Sequence, residues 1–250
     1  MYKEMFDLSG KVALVTGGTG ALGSHLSKGL AEAGAEVILV SRAKARQEAL
    51  ATEIRDAGGA CNSVTCDLSD AADVDRMCRE TWDRRGRIDV IVHNAVPGSS
   101  FNGGIADTPQ EAWDSQTSVI YGSAFAMFKT LCPKMAEGHG GSIISVISST
   151  GMVPQKGLVA YGMAKGSLML LTKYAAQEFG PKVRANCISP GTIATTPGSK
   201  GTPTGDAILP RIAAGRRGTS EECVGVTIFL ASEASSYISG QVYLIDGGRF

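Results

Sequence analysis

Val12-Ala13-Leu14-Val15-Thr16 runs directly into Gly17-Gly18-Thr19-Gly20-Ala21-Leu22-Gly23, and a helical apolar pattern follows from Ser24 to Ala33. An apolar strand, a glycine turn and a helix in this order can bind a pyrophosphate. The glycines let the backbone turn tightly and approach the anion, while the helix start offers unpaired N–H groups and the positive end of its dipole. Gly17, Thr19, Gly20, Leu22 and Gly23 are therefore candidate phosphate-binding positions. The competing reading of the same residues is a turn that only joins strand to helix.

Working outward, short β-branched runs alternate with longer helical stretches. The runs are Val12–Thr16, Glu36–Ser41, Ser63–Cys66, Ile88–His93, Ser142–Ser148, Val183–Ile188 and Val242–Ile245. This is the βαβ rhythm of a parallel sheet, and runs that are apolar almost throughout predict strands covered by helices on both faces. The expected fold is a doubly wound α/β three-layer sandwich, with residues 1–250 forming a single domain. Thr108-Pro109-Gln110-Glu111 and Thr219 with Glu222 read as capping boxes at helix starts. Residues 196–218, with Pro197, Pro203 and Pro210 among five glycines, lack periodicity and are expected to form a substrate-covering loop.

Composition narrows the function. The 250 residues balance 24 Lys+Arg against 24 Asp+Glu, so no global field favours nucleic acid or an anionic membrane. Mean hydropathy is +0.04 and the pI is near 6.8. No apolar stretch approaches membrane-spanning length, and Lys3, Glu4 and Asp7 interrupt the start where a signal peptide needs an apolar core, so a cytoplasmic protein is expected. The six cysteines contain no C-x-x-C pair and the three histidines are far apart, which predicts reduced, buried thiols and no metal site. Glycine is in excess, 32 of 250 residues against an average of about 7%.

Three further clusters carry chemistry. Ser41-Arg42 closes the second strand, where a basic residue beside a small hydroxyl suits a 2′-phosphate and an acidic one would suit a free ribose; NADP(H) is preferred, with NAD(H) possible. Tyr161 and Lys165 lie four apart at a helix start, so they share one face, and a nearby ammonium favours the phenolate needed for proton exchange with an alcohol or carbonyl. Ser148 stands at a strand's carboxyl end, where open α/β sheets bind ligands, and could hold the substrate oxygen; Ser189-Pro190-Gly191-Thr192-Ile193-Ala194-Thr195 follows another such end.

Taken together, the glycine turn, Asp67-Leu68, Asn94-Ala95, Ser148, Tyr161 with Lys165, Pro190-Gly191 with Thr195, and Asp246-Gly247-Gly248 resemble the short-chain dehydrogenase/reductase family over essentially the whole chain. The resemblance implies a Rossmann-type fold, a nicotinamide cofactor and a small-molecule carbonyl or alcohol substrate. It implies Tyr161 as acid/base, Lys165 on the nicotinamide ribose and lowering the tyrosine pKa, and Ser148 on the substrate oxygen. Asp67 and Leu68 would flank the adenine, Asn94 and Ala95 line the adenosine side, and Ile193 and Thr195 fix the carboxamide. For Asp67, a helix cap is an alternative or additional reading. A homo-oligomer, tetramer or dimer, assembled through the helices containing Trp113 and Tyr161 is also implied.

The pattern breaks in three places. Ala21 replaces the middle glycine, so the spacing Gly17, Gly20, Gly23 resembles the extended branch of the family, but with Asp246-Gly247-Gly248 so close to Phe250 the short single-domain branch is expected. Asn-Asn-Ala-Gly becomes His93-Asn94-Ala95-Val96, adding bulk at the pocket edge formed by Pro97 to Phe101. Ile120, seven residues after Trp113, stands where the family places an asparagine that helps hold a relay water, leaving that part absent or met by Ser118 or backbone carbonyls. The leading expectation is an NADP(H)-dependent oxidoreductase with Ser148, Tyr161 and Lys165 as its catalytic set. The alternatives are an isomerase or lyase using the nicotinamide transiently, or a non-catalytic cofactor-binding protein. Gln177 before Glu178 disfavours acyl-carrier-protein reduction.

Overall fold

A computed structural model of the chain describes residues 2–97, 103–194 and 209–249. Seven parallel strands form one sheet in the order β3-β2-β1-β4-β5-β6-β9. They are β1 (Val12–Thr16), β2 (Glu36–Ser41), β3 (Ala60–Thr65), β4 (Val90–His93), β5 (Gly141–Val146), β6 (Val183–Pro190) and β9 (Val242–Ile245). A second, two-stranded ladder pairs β7 (Ile193–Ala194) with β8 (Gly218–Thr219). Helices α1 (Ala21–Glu32), α2 (Lys44–Asp56), α3 (Ala71–Arg85), α4 (Gln110–Thr117), α5 (Ser123–Glu137), α6 (Val159–Glu178) and α7 (Val224–Ala231) connect the strands.

The central strands explain the three layers. In β1 every residue is buried, with Val12 and Leu14 packing into one apolar core and Ala13 and Val15 into the other. Two cores, one on each side of the sheet, require helices on both faces. Strand order reverses between β1 and β4, where Thr16 pairs with His93, and ligands of such sheets bind outside the carboxyl ends at this crevice. All six cysteines are buried and unpaired. Among the described residues, no helix is long and apolar enough to cross a membrane.

Several boundaries differ from the sequence reading. β3 begins at Ala60, earlier than Ser63, because it is an edge strand; Ala60 and Asn62 face solvent while Cys61 is buried, so its first half carries no continuous apolar signal. β5 ends at Val146, two residues before Ser148, and β6 extends to Pro190 through its pairing with β9. Helix α1 starts at Ala21 rather than Ser24. The capping box at Thr108 does not form: its hydroxyl donates to Gly104 O at 2.7 Å and Pro109 takes the cap position. At Thr219 half the box forms, Glu222 accepting the Thr219 N–H at 2.8 Å. Of the expected loop 196–218, residues 196–208 lie outside the described residues. Its remainder contains a short 3-10 turn at Leu209–Arg211 and the start of β8.

Candidate active site

Where β1 ends, Gly17 adopts a left-handed φ of +62°, and a Cβ there would lie 2.9 Å from Ala95 Cα. A Cβ at Gly23 would overlap the Gly17 carbonyl oxygen, so α1 can approach the turn only through a glycine. Ala21 is tolerated because its side chain is exposed. The turn is braced by Asn94, whose Nδ2 donates to Thr16 O at 3.3 Å and Gly17 O at 3.1 Å. Gly20 caps α1 without a side chain, which leaves first-turn N–H groups available to an anion.

This turn floors a cleft of about 610 Å³. The cleft brings together Gly17, Thr19, Gly20, Leu22, Gly23, Ser41, Arg42, Asp67, Leu68, Asn94, Ala95, Ser148, Tyr161, Lys165, Pro190, Gly191 and Ile193. Thr195 and Phe101 lie outside the described residues. Of the expected pocket edge Pro97 to Phe101, Pro97 lines the cleft and residues 98–101 lie outside the described residues; Val96, just before it, lines the cleft too. Arg46, Val119, Val146 and Ile147 line it too, and no motif marks them in the sequence; Arg46 lies in the first turn of α2, four residues past Arg42, which precedes that helix.

At one end of the cleft Arg42 and Arg46 are both exposed. Ser41 Oγ is buried and has no hydrogen-bond partner among the described residues. The Asp67 carboxyl lies below the usual range, chiefly because Ser69 donates to it from backbone and hydroxyl, with Arg42 adding attraction. Asp67 does not cap α3: Asp70 does, accepting the Ala72 N–H at 2.9 Å.

At the other end, α6 packs against the turn Ser149–Gly151 through facing glycines. A Cβ at Gly162 would lie 2.9 Å from Thr150 O, one at Gly166 3.0 Å from Gly151 O, and one at Gly151 2.7 Å from Gly166 N. Across this seam Ser148 and Tyr161 both line the cleft, near enough for the serine hydroxyl to favour the phenolate. Thr150, unpredicted by sequence, donates its hydroxyl to Ser148 Oγ at 2.7 Å, so the Ser148 proton points to another acceptor.

Lys165 is fully buried one turn beyond Tyr161, its Nζ donating to Val146 O at 2.6 Å and lying 5.7 Å from the Tyr161 ring centroid. Burial lowers its pKa to about 7. The expected lowering of the tyrosine pKa by lysine is not found: burial pushes the Tyr161 phenol up, and the Ser148 hydroxyl opposes this only in part. Desolvation of both groups outweighs their mutual influence.

The position of the missing asparagine falls in a π-helical turn, Ser118–Gly122, between α4 and α5. The Ser118 hydroxyl donates to Asp114 O at 2.7 Å, which commits its proton within the helix. Ile120 is buried in the core, and its carbonyl is paired with His93 Nε2 at 2.7 Å.

A cleft with a glycine cradle, an orphaned Ser41 oxygen and two arginines at one end and the buried Tyr161 and Lys165 at the other fits a nicotinamide dinucleotide. Comparison with known proteins agrees. A family model described as "Enoyl-(Acyl carrier protein) reductase" matches residues 18–249. Dehydrogenase/reductase SDR family member 4 of Mus musculus is 33% identical over 245 residues, covering 96% of this chain and 88% of the relative. D-threitol dehydrogenase of Mycolicibacterium smegmatis is 33% identical over 246 residues, covering 97% and 94%. The crystal structure of a gluconate 5-dehydrogenase from Burkholderia cenocepacia, in complex with NADP and tartrate, superposes with a TM-score of 0.93 at 29% identity, covering 100% of this chain and 98% of that one.

Proposed function

The chain belongs to the short-chain dehydrogenase/reductase family, and from that premise we propose that it is an NADP(H)-preferring oxidoreductase of small carbonyl or alcohol substrates with Tyr161 as acid/base. The observation that carries this reading is the convergence of Ser148, Tyr161 and Lys165 on the cleft that the glycine turn floors.

A bound nicotinamide supplies or accepts the hydride. The glycine turn and the first turn of α1 would hold its pyrophosphate, and Lys165 its nicotinamide ribose. Pro190, Gly191 and Ile193 would bound the carboxamide end. Arg42, with Arg46 and the Ser41 hydroxyl, would receive a 2′-phosphate, which supports NADP(H) over NAD(H). In reduction, Ser148 donates a hydrogen bond to the substrate oxygen and Tyr161 delivers the proton. A phenol whose pKa is raised by burial is held protonated at neutral pH, the form a proton donor needs. In the reverse direction the Lys165 ammonium compensates the phenolate.

We also propose a homo-oligomer. Phe125 on α5 and Met163, Leu170 and Tyr174 on α6 expose large apolar surface, and a second copy packed through these helices would cover it.

A panel of ketones, aldehydes and polyols with NADPH, NADH and their oxidised forms, followed at the reduced-nicotinamide absorbance, tests the reading. Stoichiometric cofactor turnover that favours NADPH is expected. Substrate conversion without net nicotinamide change would replace it with an isomerase or lyase assignment.

A further inference from the structure

His93 is a fully buried titratable side chain that the mechanism above does not use. It ends β4 at the strand-order reversal and touches two different parts of the site. Its Nδ1 lies 3.1 Å from Thr16 Oγ1 and its Nε2 lies 2.7 Å from Ile120 O.

The donor and acceptor inventory leaves one arrangement. Thr16 Oγ1 already accepts the backbone N–H groups of Asn94 at 3.1 Å and Ala95 at 3.3 Å, so its single proton goes to His93 Nδ1. Nδ1 is then bare, Nε2 carries the hydrogen, and Nε2–H donates to the Ile120 carbonyl. An imidazolium could not accept from Thr16. The ring is held neutral: burial chiefly, with the charge of Lys165 adding, lowers its pKa to about 4.

The Ile120 carbonyl belongs to the π-turn, which packs against the helix carrying Tyr161 and Lys165, and Val119 of the same turn lines the cleft. Turns of this kind depart from regular α-helical bonding and occur frequently at functional sites. We propose that His93 is a positioning residue for the hydride-transfer reaction: through Nε2–H it fixes the π-turn against the catalytic helix, and through Nδ1 it ties that turn to the strand end that opens the phosphate-binding loop. The proposal rests on Tyr161 and Lys165 being the proton-transfer pair.

The test uses three substitutions in the full-length enzyme. His93→Gln carries an amide N–H about as far as Nε2, whereas His93→Asn reaches only as far as Nδ1 and His93→Phe fills the space without a hydrogen bond. For a substrate turned over by the wild type, kcat is expected within threefold of wild type for His93→Gln and at least tenfold lower for His93→Asn and His93→Phe. The Kd for NADPH, read by nicotinamide fluorescence, is expected within threefold for all three. Wild-type kcat in His93→Phe, or a His93→Gln enzyme as slow as His93→Phe, overturns the proposal. So does parallel loss of cofactor binding and Tm across the series, the mark of a merely structural role. Nitrogen-15 NMR of histidine-labelled wild type gives a reading independent of variant folding: the neutral Nε2–H tautomer is expected, and an Nδ1–H tautomer overturns it. Tyr161→Phe is run alongside. Full activity there removes the acid/base reading while the tautomer and binding measurements still report on His93.

Discussion

The two ends of the cleft work by opposite physics. At the Ser41 end the charged groups, Arg42 and Arg46, are exposed, and charge acts there through water. At the Tyr161 end Lys165 and His93 are fully buried, and removal of water governs their protonation. On the proposed reading, recognition of the cofactor can be altered by surface substitution, whereas chemistry would depend on groups whose environment the whole fold maintains.

The sharpest way to break this contrast is Tyr161→Phe. Loss of the proton-transfer group is expected to lower kcat by about 10²–10⁴-fold, with NADPH affinity measured by fluorescence titration nearly unchanged. Loss of affinity without loss of kcat would merge the two ends into one binding surface.

Next in size is an acid limb in stability. Native His93 has a pKa of about 4 against an ordinary 6.5. Above pH 6.5 it is neutral whether folded or unfolded. As pH falls from 6.5 toward 4 the unfolded chain takes up a proton that the native ring refuses, so stability is lost, on the order of 3 kcal/mol by pH 4. Urea unfolding at pH 7 and pH 4.5 should show a smaller acid loss for His93→Gln than for wild type. Equal losses would mean that the ring is accessible to protons in the native state.

At the exposed end the effects shrink. Arg42→Asp is expected to shift the NADPH/NADH preference in kcat/KM by about 10–100-fold, the worth of one or two charge-assisted hydrogen bonds. Arg46→Ala should weaken NADPH binding by only about twofold to fivefold, with the difference fading at high salt. A salt-independent effect at Arg46 would show a desolvated contact.

The central sheet was legible because β1, β4 and β5 are buried on both faces and their composition follows burial directly. The start of the edge strand β3 is not legible because half of the strand faces water. The cleft residues could be read where a motif ties residue type to backbone geometry, as at Gly17, Gly23, Tyr161 and Lys165. Thr150 and the His93–Ile120 pairing were not legible, since each depends on a hydrogen bond between segments whose separation the chain order does not disclose. The direction of the Tyr161 shift is not legible for a related reason. Spacing places an ammonium nearby but says nothing of how much water both groups lose.

The seam of Gly151, Gly162 and Gly166 bears on how this protein can change. Ser148 and Tyr161 meet because backbone touches backbone there, with no room for a methyl group. A saturation scan should thus show a line of intolerance along three glycines that do no chemistry themselves. New substrate preferences would have to arise at walls such as Val96 and Pro97, which line the cleft apart from this seam.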